Sequence, residues 1–453
     1  MRNSTLLSHV TGLLRFSYSL YEGLSHSFFI YTNPIYQIIN IFKYYNAYKA
    51  GNSADSDKMS QLEISNRQTI IMILGLAGFT VMADNWVVSP LLPAISSSFG
   101  VNAATAGVVI AAYMIPFGIF QLVFGPIADR FGKKQVISFA MIFFTFGTGL
   151  CGFGFTLSAL TTYRAITGIF AASVMPISLA LIGDLVPLNE RQAAIGSFMG
   201  ISFLGQGISM ALGGTMAYFL NWRYTFILYA LMSAFSAILL FTIGRKIPST
   251  KNQNSELLRP YIQLLSKRES QLIYIVIVME GILIIGSFSY LGAYISSVYN
   301  FNFLQIGLVM TSFGVMTVIG GRLVGKLANN IGRKMTLLFG FSLAAVADLS
   351  LFSVGNILIV LVLGVSLLGL GFIFAHSTLL TIATEFAQKS RGVAMSLVAG
   401  FFMGAGGIGT AIGGKLINSV GLNEFFLIFG LVLLIPIIQI IRLETSVIES
   451  KPQ

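Results

Sequence analysis

An all-α membrane protein, with twelve transmembrane helices in two pseudo-symmetric six-helix halves, is the fold class this sequence predicts. Three observations carry that expectation. First, 55% of the 453 residues are hydrophobic and only 9% are charged, with a mean hydropathy of +0.83. An ordinary soluble domain is about 25% charged, so too few charges are present to cover a core of this size. A soluble enzyme, a disordered chain and a disulfide scaffold are thereby excluded, the last also because Cys151 has no partner cysteine. Second, runs near the roughly 20 apolar residues that cross a bilayer recur twelve times. Third, the chain repeats itself at a fixed offset.

In order, the predicted helices are α1 68–94, α2 103–126, α3 135–156, α4 158–182, α5 194–219, α6 223–244, α7 271–297, α8 303–325, α9 335–354, α10 356–380, α11 392–417 and α12 424–442. Their apolar runs are continuous and lack the period-2 alternation of a β-barrel. Basic residues cluster before α1, after α2 (Arg130, Lys133, Lys134), after α4 (Arg191), after α6, around α8 and the loop behind it, after α10, and behind α12. Of the 27 Lys and Arg, only Arg164, Arg223 and Lys415 fall elsewhere. Positive charge is retained on the cytoplasmic side, so both termini are expected inside the cell. The net charge of +11 is then a topology signal, and no nucleic-acid partner is needed to explain it.

The resulting organisation is an N-terminal cytoplasmic extension (1–66), a first half (67–244), a cytoplasmic linker (245–270), a second half (271–443) and a cytoplasmic tail (444–453). The extension is rich in Ser, Tyr, Asn and Ile. Its stretch Ser27 to Tyr45 is interrupted by Asn33, Pro34, Gln37, Asn40 and Lys43 and is too polar to span. An interfacial amphipathic segment is one reading. The preferred one takes Met59 as the natural start, with 1–58 an upstream extension or a poorly ordered tail. No small-residue cleavage site follows a compact apolar core, so a signal peptide is not expected.

The halves match at an offset of 200 residues. Gly107 matches Gly307; Gly125, Ala128, Gly132 and Lys134 match Gly325, Ala328, Gly332 and Lys334; Arg191 matches Arg391; Gly213-Gly214 matches Gly413-Gly414; and Phe226 matches Phe426. One register holds from α2 to α12. Parallel repeats of this kind place a substrate site near the midplane between the halves and work by rocking.

At this point the sequence resembles the major facilitator superfamily and, more narrowly, its twelve-helix drug:proton antiporter branch. Gly125-Pro-Ile-Ala-Asp-Arg-Phe-Gly-Lys-Lys134 is similar to the superfamily's loop 2–3 signature, and Gly325-Lys-Leu-Ala-Asn-Asn-Ile-Gly-Arg-Lys334 is its weaker echo. Arg164-Ala-Ile-Thr-Gly168 resembles the branch's α4 motif, Asn221-Trp222-Arg223 its α6 opening, and Asp84, Pro90 and Pro93 the end of its α1. The resemblance covers about residues 68–443. One departure stands out: Ser209-Met210 replaces the Gly-Pro pair that precedes the Gly-Gly of the branch's α5 motif. The resemblance implies that Asp129, with Arg130, Lys133 and Lys134 beside it, latches one gating state. Gly125 and Gly132 are expected to permit tight turns and close helix approach. It also implies that α1, α4 and α7 line the central cavity.

Depth selects the intramembrane candidates. Asp84 lies roughly 16 residues into α1, about 24 Å at 1.5 Å per residue, and Arg164 about 10 Å from the opposite face on α4. The two depths nearly coincide, and a facing pair lowers the penalty of charge in a bilayer. The alternative places Asp84 at the outer mouth, with Pro90 and Pro93 ending the helix. Glu280 lies roughly 14 Å into α7, the midplane position of a proton carrier. A structural pairing with a neighbouring helix is its alternative. Asp348, on a helix usually peripheral in this fold, and His376, late in α10, are weaker candidates, as is Tyr113, which with Gln121, Gln206, Tyr290 and Tyr294 offers hydrogen bonds to a ligand. Asp184 with Arg191, and Glu385 with Arg391, read as charge pairs near the cytoplasmic surface.

No catalytic residue, metal site, nucleotide fingerprint or P-loop is expected, and no cofactor. The expected function is secondary transport of a small molecule by a monomer in the plasma membrane, in the form of proton-coupled efflux of amphiphilic or drug-like compounds. Phe and Met side chains suit such substrates because they adapt to varied shapes. A facilitator or symporter for a sugar or other metabolite is the alternative. A non-transporting receptor or scaffold is the alternative of another class, which would have little reason to keep Asp84, Arg164 and Glu280.

Overall fold

A computed structural model describes residues 56–247, 259–386 and 391–443. The chain divides into two units, Met1–Thr69 and Ile70–Gln453. In the first, the described residues 56–69 are helical; the stretch Ser27 to Tyr45 lies outside the described residues.

The described residues contain twelve helices long and apolar enough to cross a membrane: α1 Arg67–Trp86, α2 Ala103–Phe131, α3 Lys133–Gly152, α4 Leu157–Leu185, α5 Glu190–Phe219, α6 Trp222–Thr242, α7 Arg268–Tyr299, α8 Phe303–Ile331, α9 Arg333–Val354, α10 Leu358–Glu385, α11 Gly392–Val420 and α12 Leu422–Arg442. The connections α2–α3 and α8–α9, with Arg130 and Arg333, lie on one face, called the basic face below. The connections around residues 100–102, 153–156, 300–302 and 355–357 lie on the opposite, far face.

Two boundaries differ from expectation for physical reasons. Pro90 and Pro93 do not end α1. Pro at these positions removes only individual N–H donors, and the helix resumes over Val88–Phe99 until Gly100 takes a left-handed φ of 64°. Gly125 makes no turn either. The signature is helical through Phe131, and only Gly132 breaks it, with φ 101°; Gly332 does the same in the second half with φ 83°. A residue with a Cβ rarely adopts such backbone, which explains why this pair repeats.

The halves meet along two glycine-lined seams. Between α2 and α11, a Cβ on Gly118 would lie 2.6 Å from the Gly404 Cα, and one on Gly414 would lie 2.8 Å from the Ala104 carbonyl. Between α5 and α8, a Cβ on Gly214 would lie 2.9 Å from the Gly307 Cα. Small residues let membrane helices approach to backbone contact. Near the far face, Ser89 on α1 donates to the Phe288 carbonyl on α7 at 2.6 Å, and Asn102 donates to Asn418 at 2.9 Å. Immediately after Glu280, α7 widens into a π-helical turn over Gly281–Ile285, a form that recurs at functional sites.

Candidate functional site

Asp84 and Arg164 meet in the first half. Arg164 Nη1 donates to Asp84 Oδ2 at 2.6 Å, and Nη2 approaches the Asp84 backbone carbonyl at 3.4 Å. The side chains are 0% and 1% exposed, so Asp84 is not at a mouth. The guanidinium stacks on the Tyr113 ring at 4.1 Å and faces Phe226 at 5.5 Å. An Arg on aromatic faces gains cation–π attraction when water is excluded. Asp84 Oδ1, Arg164 Nε and the Tyr113 hydroxyl have no hydrogen-bond partner among the described residues. The ion pair is thus tight but incompletely satisfied.

Glu280 and His376 meet in the second half. His376 Nδ1 lies 3.2 Å from Glu280 Oε1 and 3.4 Å from Oε2. Glu280 is 0% exposed and the histidine side chain 20%. The ring stacks on Phe372 at 5.3 Å and leans on Phe402 at 4.4 Å. The aromatics continue towards the far face: Phe372 to Phe313, and Trp86 against Phe288, Phe313 and Phe372 at 4.9, 5.5 and 5.7 Å. Side chains from α1, α7, α8, α10 and α11 therefore converge in one cluster between the halves. Beside it is a small cleft lined by Asn85, Trp86, Ser89, Ile110, Met114, Ile285, Phe288 and Ser289. Its walls are apolar apart from one amide and two hydroxyls. Asp84, Arg164 and Glu280 are not among these lining residues; Asn85 and Trp86 follow Asp84 directly on α1.

Asp348 is buried, although α9 was expected to be peripheral: its Cβ lies against Gly430 of α12, and Ser287 of α7 donates to its Oδ1 at 2.7 Å. Tyr290 and Tyr294 donate to the Thr410 and Leu351 carbonyls at 2.8 and 2.6 Å, so their hydroxyls are already engaged. Gln121 and Gln206 are buried in their helices.

At the basic face one of the expected charge pairs is redrawn. Asp184 pairs with Lys133 at 2.7 Å, while Arg191 donates to the Val186 carbonyl at 3.3 Å. Glu385 pairs with Arg333, whose Nη2 lies 2.6 Å from Oε1; the Arg391 side chain lies outside the described residues. Lys133 and Arg333 match at the 200-residue offset and each begins the helix after the left-handed glycine, so each reaches the end of the fourth helix of its half. The offset contained this signal, but the nearest opposite charge in sequence drew the pairing elsewhere. Asp129, 49% exposed, lies 3.7 Å from the same Lys133 amine. Asp129, Lys133 and Asp184 therefore form one shared cluster. No group of three or more metal-ligating side chains occurs among the described residues.

Twelve apolar spans in two repeated halves, meeting at an aromatic cleft with buried charge pairs behind it, are those of a multi-pass membrane protein. The chain belongs to the Major Facilitator Superfamily, whose family model matches residues 74–390 and 294–452. It is 27% identical over 350 residues to the uncharacterized MFS-type transporter YceJ of Bacillus subtilis, covering 75% of this chain and 87% of that one. It is 32% identical over 207 residues to the multidrug resistance protein fnx1 of Schizosaccharomyces pombe, covering 45% of this chain and 38% of that one. In fold it is similar to the nucleoside transporter NupG, with a TM-score of 0.70 at 13% identity over 82% of this chain and 99% of that one, and to a D-xylose-proton symporter, with 0.68 at 17% over 84% and 98%. Members of this family carry out secondary transport, and this chain is such a transporter.

Proposed function

We propose that the protein exports amphiphilic, drug-like compounds in exchange for protons, by alternating access, as a monomer in the plasma membrane with both termini in the cytoplasm. The observation that carries this reading is Glu280. It is a fully buried carboxylate at mid-depth on α7, next to a π-helical turn and beneath an aromatic cluster contributed by both halves. A carboxylate in such a place gains or loses its proton as its surroundings rearrange, and intramembrane acids mark proton paths. The cleft supports an amphiphilic substrate, because rings and Met114 supply adaptable apolar surface while Asn85, Ser89 and Ser289 supply a few hydrogen bonds. The arrangement of basic residues supports cytoplasmic termini, and the likeness to fnx1 supports the drug-efflux branch. Asp84 and Arg164 are assigned to the switching of the first half.

The replacement of the α5 Gly-Pro pair by Ser209-Met210 favours a second reading, a facilitator or symporter for a metabolite. Inverted vesicles separate the two. An exporter accumulates substrate while a proton gradient is imposed and stops when it is collapsed, and Glu280→Gln loses the driven component while keeping downhill exchange, whereas Asp84→Asn, which leaves Arg164 unpaired, impairs both. Wild-type transport that ignores the gradient establishes the facilitator, substrate moving in the same direction as the protons establishes the symporter, and a Glu280→Gln chain that still concentrates substrate removes Glu280 from the coupling.

A further inference from the structure

We infer that His376 is the proton exit of Glu280 towards the basic face. The inference rests on the reading of Glu280 as the proton carrier and adds the route by which its proton leaves.

The geometry has three parts. Glu280 is sealed from solvent, and both its oxygens face one ring nitrogen, His376 Nδ1, at 3.2 and 3.4 Å. The histidine alone of the pair is partly exposed. Its ring lies on the basic-face side of Phe372, which precedes it by one turn of α10 towards the far face, about 6 Å along the axis. Protons arriving from or leaving to the far face are blocked by Trp86, Phe313 and Phe372 in this arrangement. The groups packed on the imidazole are Phe372 of α10 and Phe402 of α11, neither of which titrates. Among the described residues, His376 is the ionisable side chain that reaches the Glu280 carboxyl.

Histidine suits this place because its two nitrogens are distinct and can pass a proton from one side of the ring to the other. The transfer balances. Protonated Glu280 gives its proton to Nδ1 of an imidazole that carries hydrogen on Nε2. The resulting imidazolium releases the Nε2 proton to water. What remains is the Glu280 carboxylate accepting a hydrogen bond from Nδ1–H, with the Nε2 lone pair open to solvent. One proton leaves the carboxyl and one enters water, and before the next release the imidazole returns its hydrogen from Nδ1 to Nε2 by exchange with water. Between Phe372 and Phe402 the ring is held in plane for both half-steps, and the charged intermediate is stabilised over two aromatic faces.

The test needs no substrate. The full chain in lipid nanodiscs is followed by infrared spectroscopy after a pH jump, the Glu280 carboxyl band being identified as the one absent in Glu280→Gln. His376→Asn places an amide at the position of Nδ1, so it still donates to the carboxylate, but it cannot pass a proton. Slowing of the Glu280 band by tenfold or more in His376→Asn, with the same endpoint and with recovery on adding free imidazole, establishes the exit. An unchanged rate in His376→Asn overturns it and leaves Glu280 as a carrier with another route. Slowing that imidazole does not relieve also overturns it, because a merely structural role is not rescued by a small base. If no Glu280 band responds to pH in the wild type, the carrier reading itself fails, and the exit with it.

Discussion

Arg164 holds Asp84 at 2.6 Å in the middle of the first half, with neither side chain more than 1% exposed. Removing one partner of a buried ion pair leaves an uncompensated charge, which destabilises by about 3–5 kcal/mol. Arg164→Ala is therefore expected to abolish transport and to lower the melting temperature of the purified protein. Arg164→Lys restores transport only in part, since an ammonium cannot reach both the carboxylate and the Asp84 carbonyl or lie flat on Tyr113. Transport assays paired with thermal melts check this, and full activity in Arg164→Ala removes the pair from the mechanism.

Asp129 is placed differently. It is half exposed and shares Lys133 with Asp184. Pairs at such exposure contribute roughly 0.2–1 kcal/mol, too little to decide folding but enough to shift a balance between two gating states several-fold. Asp129→Asn is expected to insert and melt as the wild type does while transporting several-fold more slowly. Surface labelling, melting and initial rates measured on one preparation check this; an unchanged rate reduces the charge to a topology signal.

The α5–α8 seam closes the far side through backbone contact at Gly214 and Gly307. A leucine there cannot be accommodated without separating the helices. Gly214→Leu should open the cleft to the far face and trap it there. Because Cys151 is the one cysteine and is buried, Ser289→Cys in a Cys151→Ser background provides a reporter in the cleft. It is expected to react with a membrane-impermeant maleimide from the far face in the Gly214→Leu chain and to remain protected without it. Equal protection in both chains would contradict this role for the seam.

The helices were legible because crossing a bilayer demands a long apolar run whatever its neighbours, and the loop charges and the repeat add orientation and halves. Tertiary pairing was legible only where depth alone constrained it. Asp84 and Arg164 could be matched by counting residues from opposite faces. Glu280 and His376 could not, because His376 counts as close to the basic face and its pairing depends on how α7 and α10 lie side by side and on the widened turn at Gly281. Asp184 was assigned to Arg191 because sequence proximity counts along the chain, whereas the left-handed glycine turns Lys133 back towards the end of α4, as its counterpart turns Arg333 towards α10. The convergence of Trp86, Phe288, Phe313 and Phe372 draws on four helices and has no periodic signature at all.

The two glycine seams have a consequence for how such a molecule can arise. Position 214 of the first half touches position 307 of the second, and position 414 touches Ala104, with Tyr290 between it and Gly107. Subtracting the offset, the same two patches face each other at both seams. That is the rule of an isologous contact, in which i meets j and j meets i. A single six-helix half would therefore be self-complementary, able to build both seams by meeting an identical copy in the same membrane orientation. Tyr290 marks a position where the two halves differ. It fills the space between Gly107 and Gly414, and its counterpart in the first half is Pro90, which cannot occupy the equivalent space at the other seam.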